Sequence, residues 1–255
     1  MGNGEGAVRK VHEYAIRAMS TYRAAADCYD LLYQEKRYDE EAALVAAAIR
    51  TRAPHATTLL DVACGTGRHA RHFAVDHGFT VDGIDLEPRF VARARTRLAG
   101  AQFSCGDMRD FDLGTTYDAV VCLFGSIGYA ESLDGLHRSV AAMTRHVAAR
   151  GVLTVEPWFE PGAIQDGFLV CHTGAGDGML ACRMSRTTID DGVSTLRFEY
   201  LIGTPAGIRH ESEVHRLGLF TRKQMTEAIS RTGLICEYDP TGPTGRGLYI
   251  AHRPP

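Results

Sequence analysis

Three apolar runs in the first half of the chain each end at an acidic residue, and the first passes straight into a glycine-spaced turn. They are Leu59-Leu60-Asp61-Val62-Ala63-Cys64-Gly65-Thr66-Gly67-Arg68-His69, then Thr80-Val81-Asp82-Gly83-Ile84-Asp85, then Ala101-Gln102-Phe103-Ser104-Cys105-Gly106-Asp107-Met108. Helical periodicity over Arg68–His77, Pro88–Leu98 and Leu133–Ala149 separates these runs from two more, Asp118–Phe124 and Gly151–Glu156. Strands separated by helices of this length cannot close as hairpins, so they pair in parallel with helices packed on both faces. With strands also expected at Leu234–Tyr238 and Leu248–Ala251, the prediction is a Rossmann-like α/β fold with a mainly parallel seven-stranded sheet.

The chemistry concentrates at the strand ends. Gly65 and Gly67 permit positive backbone torsions and close approach of a ligand to the main chain. Gly65-Thr66-Gly67-Arg68-His69-Ala70 fits the dinucleotide fingerprint with Ala in its last place, so this turn alone does not choose between nucleotide cofactors. Asp85, eighteen residues after Gly67, stands where a doubly wound fold meets ribose hydroxyls, and both cofactor classes share that acid. Asp107 and Met108 suit an adenine, the carboxylate accepting from the exocyclic amine and the thioether packing on the ring. Nicotinamide enzymes do not ordinarily need that third site. The three ends together favour S-adenosylmethionine, held by Asp61, Ala63, Gly65, Gly67, Asp85, Leu86, Asp107 and Met108.

Beyond Pro161 the period changes to two: Leu196, Phe198, Tyr200 and Ile202 alternate with polar neighbours, as do Glu211, Glu213 and His215. Asp190-Asp191-Gly192 and Pro205-Ala206-Gly207 read as hairpin turns. The expected organisation is a disordered N-terminus (1–7), a helical N-terminal lid (8–50), a cofactor-binding core (55–160), an antiparallel β insertion forming the acceptor site (161–220) and a return to the core sheet (221–255), begun by a helix with Thr221 as cap.

Five segments in this order, Asp61 to Gly67, Gly106 to Phe111, Leu123 to Tyr129, Val155 to Phe159 and Gly242 to Leu248, resemble the class I methyltransferases. More narrowly they resemble the enzymes that N-methylate nucleotide-linked amino sugars in antibiotic biosynthesis, such as the dimethyltransferases for desosamine and mycaminose. The likeness runs from about Tyr22 to the end. It implies a SAM-dependent N-methyltransferase acting on a dTDP-linked deoxyamino sugar. By resemblance, Tyr22 would contact the methionyl end of the cofactor and Phe124 complete the apolar surround of the sulfonium. Trp158, Arg183, Ser185 and Arg246 would line the sugar-nucleotide site, and Tyr129, where relatives carry His or Tyr, would be the residue nearest the chemistry. Phe159 stands where the family often has a second Trp, and Arg186 where it commonly has His.

The residues bear on these roles independently. Trp158, the only tryptophan, follows Glu156-Pro157 at a strand end where such sheets open. A guanidinium in Gly242-Pro243-Thr244-Gly245-Arg246-Gly247 matches a pyrophosphate, although the segment also reads as a plain hairpin loop. Arg183 and Arg186 are an odd three apart and point to opposite faces. Tyr129 is a poor base at neutral pH and reads better as a group that orients the acceptor amine; Glu156 is a second candidate or a structural acid.

A formal net charge of −3 with mixed signs gives no nucleic-acid footprint and no polybasic membrane surface. Seven cysteines without a Cys-x-x-Cys pair read as reduced thiols of a cytoplasmic protein. His69 and His72 lie one helical turn apart, but no third ligand accompanies them, and His210 and His215 fall on opposite faces of a strand, so no metal is expected. The expected partner is a small-molecule nucleotide sugar, and a homodimer is left open.

Overall fold

The five runs read as parallel strands do pair in parallel, in a computed structural model that describes residues 25–253. In chain order the first elements are α1 (Ala25–Leu32), α2 (Tyr38–Arg52), β1 (Thr58–Val62), α3 (Arg68–Val75), β2 (Thr80–Asp85), α4 (Pro88–Arg97) and β3 (Phe103–Cys105). Next come β4 (Tyr117–Cys122), a 3-10 turn (Ser126–Ala130), α5 (Leu133–Arg145) and β5 (Val147–Val155). Four further strands follow, β6 (Leu169–Gly176), β7 (Met179–Asp190), β8 (Val193–Thr204) and β9 (Gly207–Gly218), before α6 (Arg222–Ser230), β10 (Ile235–Asp239) and β11 (Leu248–His252).

The main sheet has the order β10-β11-β5-β4-β1-β2-β3, with β11 antiparallel to both β5 and β10. Chain progression reverses between β1 and β4, which leaves a crevice at their carboxyl ends. Alternation along the strands builds two apolar layers. Leu60, Val62 and Val120 face Leu136, Val140 and Ile229 from α5 and α6, whereas Leu59 and Val121 face Ile49 and Phe73 from α2 and α3. Helix starts are set by capping: Ser132 accepts from Gly135 N, Glu87 from Arg89 N behind Pro88, and Thr221 forms a reciprocal box with Gln224.

Three boundaries differ from the sequence reading. The helix expected to reach Ala149 stops at Arg145, because the His146 ring stacks on Phe111 and binds Ala142 O and Leu113 N, releasing Val147 into β5. The third strand ends at Cys105, since Asp107 accepts from its own neighbour Arg109 N and the chain coils away. The insertion holds four antiparallel strands, so Arg183 and Arg186 lie on its second strand, not its first. Two of its three hairpins turn at Asp177-Gly178 (φ 50° and 72°) and Asp191-Gly192 (φ 44° and 72°), the left-handed pairs that match strand twist, and the third turns at Pro205-Ala206.

Helix α1 lies between the two sheets, with Ala26, Cys28 and Leu32 against Tyr200 and Ile202. Ion pairs tether it: Asp27 reaches Arg89 at 3.3 Å and Arg209 at 2.6 Å, and Asp30 reaches Arg97 at 2.7 Å and accepts from the Thr66 hydroxyl at 2.6 Å. The expected disorder of residues 1–7, the earlier part of the N-terminal helix and Tyr22 lie outside the described residues. Among the described residues no helix is long and apolar enough to cross a membrane.

Candidate active site

A cavity of about 540 Å³ runs from the crevice to the inner face of the four-stranded sheet, within the usual size range of small-ligand sites. At its crevice end, Ala63 and Gly65 take φ of 60° and 57°, and a Cβ built on Gly65 would meet no protein atom. The turn therefore presents bare backbone to open space. Asp85 braces it, with Oδ2 accepting from Gly65 N and Oδ1 from Glu87 N, each at 2.8 Å. Gly67 serves the turn differently. At φ 76° its Cβ would come 2.9 Å from that of Ala94, so it lets α3 approach α4 and does not line the cavity.

Asp61 sits behind this turn, 3% exposed, with Oδ2 lacking any hydrogen-bond partner. Burial, reinforced by the charge of Asp85, pushes its carboxyl up to about 8. Burial also raises Asp85, to about 6, against the opposing pull of the Glu87, Gly65 and Leu86 amides. Two buried acids of this kind call for a cation and hydroxyl donors. Asp107 holds Arg109 in a bidentate pair, with Nε 2.9 Å from Oδ1, and lines the cavity beside Met108 and Leu86. This corner fits the ammonium, ribose and adenine of S-adenosylmethionine.

Phe124 lines the cavity as well. It holds φ 56°, a costly conformation for a bulky residue, and its amide donates to Glu156 Oε2 at 2.6 Å. Glu156 is completely buried, and its Oε1 accepts from Thr244 and from the Arg246 guanidinium at 2.9 Å. The guanidinium lies 5.4 Å from the Phe124 and Trp158 rings and 5.8 Å from Phe159. Trp158 donates Nε1–H to Ser194 Oγ at 3.0 Å and packs on Gly125 and Gly128, where a Cβ would come within 2.8 and 3.0 Å of it. The glycines after β4 thus make room for the tryptophan.

Arg183 is 5% exposed and donates to Tyr33 Oη at 3.0 Å, with its guanidinium 4.6 Å from the Phe198 ring. The Nε atoms of Arg183 and Arg246 are both buried without a hydrogen-bond partner. Ser185 lines the same wall, while Arg186 is exposed on the other face, as the spacing predicts. Tyr129 Oη lies 2.9 Å from His215 Nδ1; His215 Nε2 lies 3.2 Å from Glu213 Oε2, to which Tyr200 donates at 3.1 Å.

The cavity thus gathers Ala63, Gly65, Asp85, Leu86, Asp107, Met108, Phe124, Tyr129, Trp158, Arg183, Ser185 and Arg246 from the sequence-derived set. Tyr29 and Tyr33 of the N-terminal segment line it as well, and Tyr29 is far harder to ionise than a free phenol because it is buried. Sequence reasoning missed His215, although the alternation used to separate it from His210 also puts it on the face of Glu213. His69 and His72 turn to different carboxylates, Glu41 at 2.8 Å and Asp76 at 2.6 Å.

Comparison with known proteins agrees with this geometry. A methyltransferase domain model matches residues 59–151. The dTDP-3-amino-3,6-dideoxy-alpha-D-glucopyranose N,N-dimethyltransferase of Streptomyces fradiae is 41% identical over 227 residues, covering 88% of this chain and 89% of its own. The crystal structure of Streptomyces venezuelae DesVI superimposes with a TM-score of 0.84 at 37% identity, covering 90% of this chain and 98% of its own. SAM-bound CalS10, an amino pentose methyltransferase of Micromonospora echinaspora involved in calicheamicin biosynthesis, gives 0.77 at 40% identity over 87% of this chain and 93% of its own. The nicotinamide alternative falls, and the chain belongs to the SAM-dependent class I methyltransferases, in the family of the dTDP-amino-sugar N,N-dimethyltransferases.

Proposed function

We propose that the protein methylates the amino group of a dTDP-linked deoxyamino sugar in natural-product biosynthesis. The observation that carries the acceptor class is the pair of largely buried arginines, Arg183 and Arg246, in the wall of the cavity that also holds the cofactor corner. Two guanidinium groups lining one largely apolar cavity match the charge and fork geometry of a diphosphate. Bound S-adenosylmethionine supplies an electrophilic sulfonium methyl and leaves as a neutral thioether. Asp61 receives its ammonium, Asp85 the ribose and Asp107 the adenine amine, while Phe124 and Met108 exclude water. Trp158 and Ser185 shape the sugar side, and Tyr129 orients the amine. By family likeness Tyr22 contacts the methionyl end. Catalysis then rests on alignment in a dry site.

The proposed organisation keeps 8–50 as a lid, 55–160 as the cofactor-binding core, 161–220 as the acceptor-forming insertion and 221–255 as the return to the sheet. The enzyme is taken to work in the cytoplasm. Exposed Leu180, Leu201 and Ile208 on the outer face of the four-stranded sheet support a homodimer, which light scattering would test. Mass spectrometry of a panel of nucleotide-linked amino sugars incubated with enzyme and cofactor tests the activity. Methylation on nitrogen is expected; methylation of hydroxyls alone, or no turnover with any amino sugar, would overturn the assignment.

The two buried acids make a second expectation. Their carboxyls are raised in the fold, so the neutral forms are favoured and the free protein loses stability as pH rises from the ordinary carboxylate range through about 6 for Asp85 and about 8 for Asp61. A cationic cofactor reverses the preference by favouring both carboxylates. Its binding should release protons and tighten as pH rises from about 5.5 to 7. Calorimetry in buffers of different ionisation enthalpy would detect the protons; binding without release would show that the acids are already ionised.

A further inference from the structure

We propose that Glu213 and His215 complete a proton relay that removes the proton of the acceptor ammonium through the Tyr129 hydroxyl. This rests on the reading of the acceptor as an amine. Such an amine is almost wholly protonated at neutral pH, so a proton must leave before its lone pair is available. The Tyr129 phenol is a weak terminal base but a good conduit, because it donates as it accepts.

The geometry provides the sink. Tyr129 lines the cavity, and its hydroxyl lies 2.9 Å from His215 Nδ1, placed to donate to it while the Glu213 carboxylate, which only accepts, faces Nε2. That assignment leaves the imidazole hydrogen on Nε2, aimed at Glu213 Oε2 at 3.2 Å. The side chains of His215 and Glu213 are each 2% exposed, and the Phe198 ring covers the imidazole at a centroid distance of 4.7 Å. Tyr200 donates to the same Glu213 oxygen at 3.1 Å, fixing the far end. Titratable groups facing this column from the neighbouring elements include Arg183 from β7 and Cys28 and Tyr29 from α1. A carboxylate, an imidazole and a hydroxyl in sequence form the arrangement that other enzymes use to draw a proton from a nucleophile.

The step balances. The ammonium proton moves to Tyr129 Oη as the phenolic proton moves to His215 Nδ1, and Glu213 holds the resulting imidazolium. The freed lone pair forms the N–C bond as the S–C bond breaks towards sulfur. One proton per methyl group remains on His215 and returns to solvent before the next cycle. Tyr129 touches substrate; His215 and Glu213 act through it as positioning residues.

The test is single-turnover methylation by wild type, His215→Gln, Glu213→Gln and Tyr129→Phe across about pH 6.5 to 10, with thermal unfolding as the check on folding. Each variant should lose about a hundredfold at pH 7, within the span of general-base effects, while cofactor affinity changes by less than about threefold. The deficit should close above the pKa of the free amine, where substrate arrives deprotonated. A deficit constant across pH would mean that these residues only pack the wall; no deficit at pH 7 would mean that solvent takes the proton. Histidine nitrogen NMR gives a readout without turnover: His215 should carry its hydrogen on Nε2 in wild type and lose that preference in Glu213→Gln. Absence of amine methylation by wild type would instead sink the proposed function, so the two failures are separable.

Discussion

Alanine at position 246 is expected to destabilise the protein by about 3–5 kcal/mol and to raise the acceptor KM far more than the cofactor KM. Glu156 is fully buried, and Arg246 is the cation bonded to it. Truncation leaves the carboxylate hydrogen-bonded only by the Phe124 amide and the Thr244 hydroxyl, with Lys36 acting on it from a distance, so a poorly compensated charge remains in the core. The same truncation removes the guanidinium proposed to meet the pyrophosphate from the cavity wall. A second change separates these effects: adding Glu156→Gln should recover much of the stability and none of the acceptor binding. An unchanged melting temperature would refute the buried pair. Unchanged Michaelis constants would reduce Arg246 to a structural cation.

Asp85→Ala should weaken S-adenosylmethionine by about 2–3 kcal/mol, a loss of roughly 30- to 150-fold, because ribose hydroxyls in a buried site lose a charged acceptor. Part of the loss reflects the turn itself, since Gly65 N and Glu87 N both donate to this carboxylate. Asp85→Asn, which keeps an acceptor but removes the charge, should fall between wild type and alanine. Unchanged affinity in a folded Asp85→Ala protein would overturn the ribose assignment.

The cofactor corner was legible because its constraints are local: a strand end, an acid and a glycine turn lie within a dozen residues, and burial on both faces makes β1 and β4 mostly apolar. The cap was less so. Strand β6 is built from Leu169-Val170-Cys171-His172-Thr173-Gly174-Ala175-Gly176, whose small residues carry little period-two contrast. Their reason is three-dimensional, since a Cβ on Gly174 would fall 2.4 Å from Leu31 O of α1. The union of Tyr129 with His215 likewise spans 86 residues and depends on β9 reaching the 3-10 turn, which no local pattern reports. Arg246 was visible as a cation in a glycine loop, but its burial against Glu156 was not.

The tethers on α1 bear on how many methyl groups one encounter delivers. If the acceptor takes two, spent cofactor must leave between them, and were α1 to lift for that exchange as part of the proposed lid, Asp27 and Asp30 would have to release Arg89, Arg209 and Arg97. These pairs are a quarter to nearly half exposed, so each contributes at most about 1 kcal/mol and fades as salt rises. Such a clasp sets a dwell time and not a lock. Ionic strength would then be a handle on processivity: dilute buffer is expected to keep a half-finished sugar in place through the exchange, and concentrated salt to let it escape with a single methyl.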